Sequence, residues 1–190
     1  MEESRLLDKA MAGDQAALEA LLAIHEKKMY AICLRMFKHR EDAQDCLQEA
    51  MLRVFRSLKS FKRESALSTW IYRLTTNTCL DELRRRKSRP SVSMDGLMET
   101  GWMPADEGDG PDEAYIKRER RSAVHAAIEE LPDDMRAVIV LRDIEGFSYD
   151  EVSQITGVNV GTVKSRISRG RARLREVMSQ KKELFSDVGV

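Results

Sequence analysis

The chain has 190 residues, and its 32 basic and 32 acidic side chains cancel to a formal charge of zero. That length fits one or two small domains. No stretch approaches the roughly 18–20 apolar residues of a membrane span, the N-terminus MEESRLLDKA does not read as a signal peptide, and a cytoplasmic location is expected. The neutral total conceals segregation: residues 1–87 carry 17 basic and 13 acidic groups, residues 88–116 carry 1 and 7, and residues 117–190 carry 14 and 12. Clustering, not the sum, decides whether a surface attracts nucleic acid.

Residues 4–87 are almost entirely helical in pattern. A short helix runs from about Arg5 to Met11; Gly13-Asp14 breaks it, and Asp14 suits the cap of the next. That second helix extends to about Lys38, with Leu18, Leu21, Leu22, Met29, Ile32 and Met36 on its inner face. A third helix over about Asp42–Leu58 buries Ala43, Leu47, Ala50, Met51, Val54 and Leu58. Opposite that stripe lie Asp45, Gln48, Glu49, Leu52, Arg53 and Arg56, either a solvated face or a protein-docking one. The loop SFKRESA precedes a fourth helix over about Leu67–Lys87, with Ile71, Leu74, Thr78 and Leu83 inward. Trp70, Tyr72, Arg73, Thr76, Asn77 and Arg84 fall off that stripe, beside Lys62 and Arg63. Aromatic, Arg and Asn groups together suit single-stranded nucleic acid, by stacking and base-edge hydrogen bonds. The run Arg84 to Lys87 is equally at home at a helix C-terminus, where the dipole favours cations.

Residues 88–112 break the periodicity with Pro, Gly, Ser and acidic groups and read as a flexible linker. Its Met94, Leu97, Met98, Trp102 and Met103 hint at docking, against the plainer reading that they are incidental. Residues 113–178 read as a second helical domain, and 179–190 as a tail. Its first helix spans Tyr115 to Leu131. Pro132 opens the next at an N1-like position, with Asp133 and Asp134 in the first turn. Then comes FSYDEVSQITGVNVGTVKSRISRGRARLR, a helix-turn-helix: a short helix over Tyr149–Thr156, a turn at Gly157, and a second helix from Val160 or Gly161. Val163, Ile167, Gly170 and Leu174 form one stripe. Lys164, Ser165, Ser168, Arg169 and Arg171 lie off it, flanked by Arg166, Arg173 and Arg175. Eight basic residues against Glu176 alone between Val160 and Lys182 suit a DNA major groove, although a solvated basic helix has the same composition. No segment shows a strand pattern, so the chain is expected to be all-α.

Cys33, Cys46 and Cys79 are widely spaced and odd in number, and read as reduced, semi-buried residues. No CxxC or HxxxH-type pairing occurs, so no metal site and no cofactor are expected. His25, His39 and His125 read as surface or core-edge residues. A Gly-rich phosphate loop, a nucleophile motif and paired catalytic carboxylates are all missing, which argues against an enzyme and a small-molecule substrate. A self-sufficient DNA-binding regulator is the competing class, but it needs a dimer surface or effector pocket that the sequence does not reveal.

HREDAQDCLQEAMLRVFRSLKSF followed by STWIYRLTTNTCLDELRRRK resembles region 2 of bacterial sigma factors of the extracytoplasmic-function group, and ELPDDMRAVIVLRDIEGFSYDEVSQITGVNVGTVKSRISRGRARLRE resembles their region 4. The two occur in the family's order and cover roughly residues 5–178, with nothing corresponding to regions 1 and 3. The resemblance implies a factor that binds core RNA polymerase and directs it to promoters. Asp45, Gln48, Glu49, Leu52 and Arg53 would dock on the β′ clamp helices, and the second domain would sit at the β flap. Lys62, Arg63, Glu64 and Ser65 would line a pocket for a base flipped from the melted minus-ten element, with Arg73, Asn77 and Arg84 along the strand. Lys164, Ser165, Ser168 and Arg169 would face base edges of the duplex minus-thirty-five element, and Thr162, Arg166 and Arg171 its phosphates. Ser168 departs from relatives that carry a bulky side chain there. An anti-sigma protein, often membrane-anchored, is the implied inhibitor. A 25-residue linker reaches at most about 80–90 Å, enough for the roughly 70 Å of two DNA turns. Its acids Asp95, Glu99, Asp106, Glu107 and Asp109 are also candidates to cover the basic recognition helix in the free protein.

Overall fold

The computed structural model describes residues 2–88 and 122–180, which form helices and short connections with no strand among them. The all-α expectation holds. The linker, its acidic residues and the tail beyond residue 180 lie outside the described residues, as do residues 113–121 of the second expected domain.

Four helices form the N-terminal unit: α1 (Glu2–Met11), α2 (Gln15–Met36), α3 (Arg40–Ser57) and α4 (Leu67–Ser88). Gly13, with φ of 101°, makes the first corner, a conformation that a Cβ would strain. Asp14 then caps α2 by accepting the Ala17 amide at 3.0 Å. Leu18, Leu21, Met29, Ile32 and Met36 are buried on α2 as expected, while Leu22 is half-buried. On α3, Ala43, Leu47, Ala50 and Val54 are buried, joined by Cys46; Met51 is half-buried. One 3₁₀ turn, Leu58–Ser60, closes α3 and leads into the loop before α4.

The C-terminal unit comprises α5 (residues 122–129), α6 (Asp133–Ile139), a π turn (Val140–Ile144), α7 (Tyr149–Thr156) and α8 (Val160–Ser179). Pro132 occupies the N-cap of α6 rather than N1, and Asp133 and Asp134 sit in its first turn. The π turn has no sequence signature. Gly170 lets α8 lie against α6: a Cβ there would stand 2.8 Å from Ile139 Cγ1.

The two units pack together and share a hydrophobic core. α7 lies along α4, and the π turn meets α2. Tyr72 on α4 stacks near Phe147, ring centres 5.4 Å apart, and Lys28 Nζ lies 4.3 Å from the Phe147 ring centre. Lys28 also donates to the Glu145 carbonyl at 3.2 Å, and Arg35 pairs with the Glu145 carboxylate at 3.2 Å. Buried Arg136 reaches from α6 to donate to the Met36 carbonyl at 2.7 Å, satisfying an orphan acceptor at the end of α2.

This packing corrects the reading of α4. Tyr72 and Thr76, assigned to an outward stripe, are buried, and Trp70 is half-buried against Phe61 with ring centres 5.1 Å apart. Helix α4 is covered on two sides, by α2 and α3 and by α7, which a single-stripe pattern does not anticipate. His25 is likewise not at the surface: it is buried, with Nδ1 3.1 Å from the Tyr72 hydroxyl and Nε2 2.8 Å from Glu3.

Candidate nucleic-acid interface

Helices α7 and α8 are set by local chemistry. Ser148 accepts the Glu151 amide at 3.2 Å while the Glu151 carboxylate accepts the Ser148 amide at 2.8 Å, a reciprocal capping box. That backbone donor holds the Glu151 carboxyl below its ordinary pKa. Gly157 ends α7 in the left-handed region at φ 72°, as its place in the sequence predicts. Ser153 Oγ donates across the turn to the Val158 carbonyl at 2.6 Å. Asn159 caps α8 by accepting the Thr162 amide at 2.8 Å. Val163, Ile167 and Gly170 are buried, and Val177 extends the stripe; Leu174 is half-buried.

The stripe forces the remaining side chains outward. Lys164, Ser165, Ser168, Arg169 and Arg171 are exposed; Thr162 and Arg166 are half-buried. The basic groups divide in two. Arg166 pairs with Asp134 at 2.9 Å and Arg171 with Asp143 at 2.9 Å, both anchored to their own unit. Lys164 and Arg169 form no ion pair with a described residue; Arg169 Nε donates only to the Ser165 carbonyl at 3.3 Å. Lys164, Ser165, Ser168 and Arg169 therefore make one exposed face with two uncompensated cations, on a rod that a major groove admits.

The second expected site lies on the other unit. Lys62 and Glu64 are exposed in the loop before α4, and Ser65 is half-buried. Arg63 adopts φ of 59°, rare for a residue with a Cβ, and its guanidinium is held by Asp8 of α1 and Met11 Sδ. The loop is thus braced rather than loose. Arg73 and Arg84 are exposed on α4, whereas Asn77 is half-buried. Asn77 and Arg84 line a cleft of about 120 Å³ with Asp134, Val158 and Arg166 of the C-terminal unit. Residues expected on two separate promoter elements thus share one cleft.

On α3, Asp45, Gln48 and Leu52 are exposed, and Glu49 and Arg53 are half-buried. Arg53 bridges Glu49 at 3.2 Å and Asp81 of α4 at 2.9 Å. Leu52 is 46% exposed, and Phe55, one turn on, is 55% exposed. Phe55 also belongs to this face; its signal in the sequence is a large aromatic off the Leu47–Ala50–Val54 stripe, three residues after Leu52.

Family comparisons match both units. The Sigma-70 region 2 family model matches residues 21–89, and the Sigma-70, region 4 model matches residues 121–174. The chain is 37% identical over 171 residues to the ECF RNA polymerase sigma factor SigW of Bacillus subtilis, covering 86% of this chain and 90% of that one. The chain belongs to the extracytoplasmic-function sigma factors. The factor is also 35% identical over 171 residues to the ECF RNA polymerase sigma-E factor of Escherichia coli, covering 87% and 88% of the two chains. To the RNA polymerase sigma-H factor of Pseudomonas aeruginosa it is 30% identical over 181 residues, covering 93% and 94%. Two solved structures share its fold. One is CnrH in complex with the cytosolic domain of CnrY, with TM-score 0.68, 22% identity, and 95% and 99% of the chains covered. The other is the sigma factor RpoE of Bartonella quintana with the anti-sigma factor NepR, with TM-score 0.66, 24% identity, and 85% and 96% covered. The factor is accordingly a non-enzymatic transcription initiation factor that directs RNA polymerase to promoters. No helix among the described residues is long and apolar enough to cross a membrane.

Proposed function

We propose that this sigma factor divides promoter recognition between its units along the boundaries 1–87 and 113–178, with residues 88–112 as the tether. The observation that carries this is the α8 face on which Lys164, Ser165, Ser168 and Arg169 are exposed while Val163, Ile167 and Gly170 are buried. In this reading that face enters the major groove of the minus-thirty-five duplex, and Thr162, Arg166 and Arg171 lie along its phosphates. The braced loop Lys62–Arg63–Glu64–Ser65 takes a flipped base of the minus-ten element, and Arg73, Asn77 and Arg84 follow the melted strand. Asp45, Gln48, Glu49, Leu52 and Arg53, extended by exposed Phe55, meet the β′ clamp helices, and the C-terminal unit meets the β flap. An anti-sigma protein is the proposed inhibitor; both structural neighbours of this fold are bound to a partner of their own.

The closed packing bears on this mechanism. Asn77 is half-buried in the cleft it shares with Arg166 and is not open to a melted strand while α7 lies on α4, whereas Arg84 is exposed. Engagement of Asn77 by the strand then requires the units to separate. Lys164→Ala and Arg169→Ala test the assignment. Loss of a base contact costs about 1–3 kcal/mol and relaxes preference at one position. Loss of a phosphate contact weakens all sequences alike and lowers the salt slope by about one. Run-off transcription and footprints unaltered in both variants would remove α8 as the reading helix.

A further inference from the structure

Three cysteines that stand 13 and 33 residues apart in the chain meet at one point in the N-terminal unit. Cys33 comes from α2, Cys46 from α3 and Cys79 from α4. The Sγ atoms of Cys46 and Cys79 are 3.5 Å apart, those of Cys79 and Cys33 are 3.7 Å apart, and all three lie within 4.8 Å of one another. All are free thiols, and all are buried. No closely spaced ligand pair in the sequence points to a metal site. The fold supplies by tertiary contact what the spacing lacks.

We propose that Cys33, Cys46 and Cys79 form a three-sulfur site for a soft, thiophilic ion, either trivalent arsenic or monovalent copper. With each sulfur about 2.3 Å from the ion, the usual zinc–thiolate distance, the sulfurs stand about 4.0 Å apart around trigonal-planar copper and about 3.3–3.5 Å apart around pyramidal arsenic, which carries a lone pair. The observed spacings lie within a few tenths of an ångström of the arsenic values on two edges, so small rotamer adjustments suffice. Thiolate sulfur selects soft ions. Structural zinc takes four ligands, and among the described residues no fourth His, Cys, Asp or Glu joins the group. A three-coordinate ion therefore fits better than zinc.

Charge separates the two sources. Arsenous acid and three thiols condense to an arsenic trithiolate and three waters, with no change of oxidation state and no net charge. Monovalent copper displaces up to three protons and leaves a net negative centre. An apolar interior penalises a buried charge, so the trivalent ion is the better match. Glu82 and Arg53 act on Cys46 in opposite senses, Glu82 the more strongly, so the surroundings do not compensate a negative copper centre. Either ion would tie α2, α3 and α4 together, stiffening the unit that carries Leu52 and Phe55. The site itself does not depend on the promoter assignments above.

The test uses the full chain, reduced and kept anaerobic, with sodium arsenite, with copper(I) supplied from a bicinchoninate complex, and with zinc sulfate. The expected result is one arsenic or one copper per chain, three sulfur neighbours by X-ray absorption, loss of all titratable thiols with arsenite, and a raised thermal midpoint. Cys79→Ala and Cys33→Ala should weaken binding by more than the roughly 10–100-fold typical of losing an outer-shell partner. If the wild-type protein binds neither arsenite nor copper(I) at one per chain, or binds them through fewer than three sulfurs, the site is refuted and the trio is core packing. The wild-type measurement stands whether or not the alanine variants fold. Equal or tighter stoichiometric binding of zinc would also overturn the three-coordinate assignment.

Discussion

Replacing Phe147 by Ala should open the molecule. The Phe147 ring is buried between units, beside Tyr72 of α4 and beneath Lys28 of α2. Truncating a buried Phe to Ala costs about 3–5 kcal/mol, counting both the lost transfer energy and the cavity. The ring's contacts reach across the boundary, so most of that cost falls on closure rather than on either unit's own core. The tilted pair with Tyr72 and the cation over the ring are parts of the same sum, at about 0.5–1.5 and 0.5–1 kcal/mol. Taking about 3 kcal/mol against closure, and tenfold per 1.4 kcal/mol, the open form gains about 100-fold in population. Small-angle scattering should show a larger radius for Phe147→Ala, and the free protein should bind promoter DNA more tightly than wild type. Phe147→Leu, which keeps apolar volume, should fall between. If Phe147→Ala keeps the wild-type radius and DNA affinity while both units stay folded, this contact does not hold the molecule closed.

Three other outcomes are expected. Leu52→Ala combined with Phe55→Ala should weaken core polymerase binding while shifting unfolding free energy by only about 0.5 kcal/mol, since both side chains are exposed; unaltered polymerase affinity would count against the docking face. Gly170→Val should destabilise the C-terminal unit by about 1–3 kcal/mol through overpacking, because its Cβ would press on buried Ile139, and denaturant unfolding of the variant checks this. His125 has its pKa raised mainly by its hydrogen bond to Glu129 on α5, while its other nitrogen lies 3.1 Å from the Leu34 carbonyl of α2. A folded pKa above the unfolded value near 6.5 means that the protonated ring's contribution is complete below that value. It is lost as pH rises through the folded pKa. Stability should therefore fall between mildly acidic and mildly basic pH, and His125→Gln should flatten that part of the curve in thermal melts.

Much of this molecule was legible in one dimension because its signals are local. The Asp14 cap, the Gly157 turn, the extent of α7 and the buried stripe Val163–Ile167–Gly170 depend on residues within a few turns of one another, and the sequence alone determined them. The two motifs that resemble sigma regions 2 and 4 are equally continuous, so family and function were open to reading without coordinates. What only the tertiary structure decided is what distant segments do to each other. Helix periodicity reports one buried face, but α4 has two, because Phe147 and α7 return after a long interval to pack on it. Arg166 looks like a free cation until Asp134 is placed 2.9 Å away. The cysteines look unrelated until three helices converge and bring their sulfurs into contact. Burial and pairing are properties of contacts between segments, and those contacts leave no periodic trace along the chain.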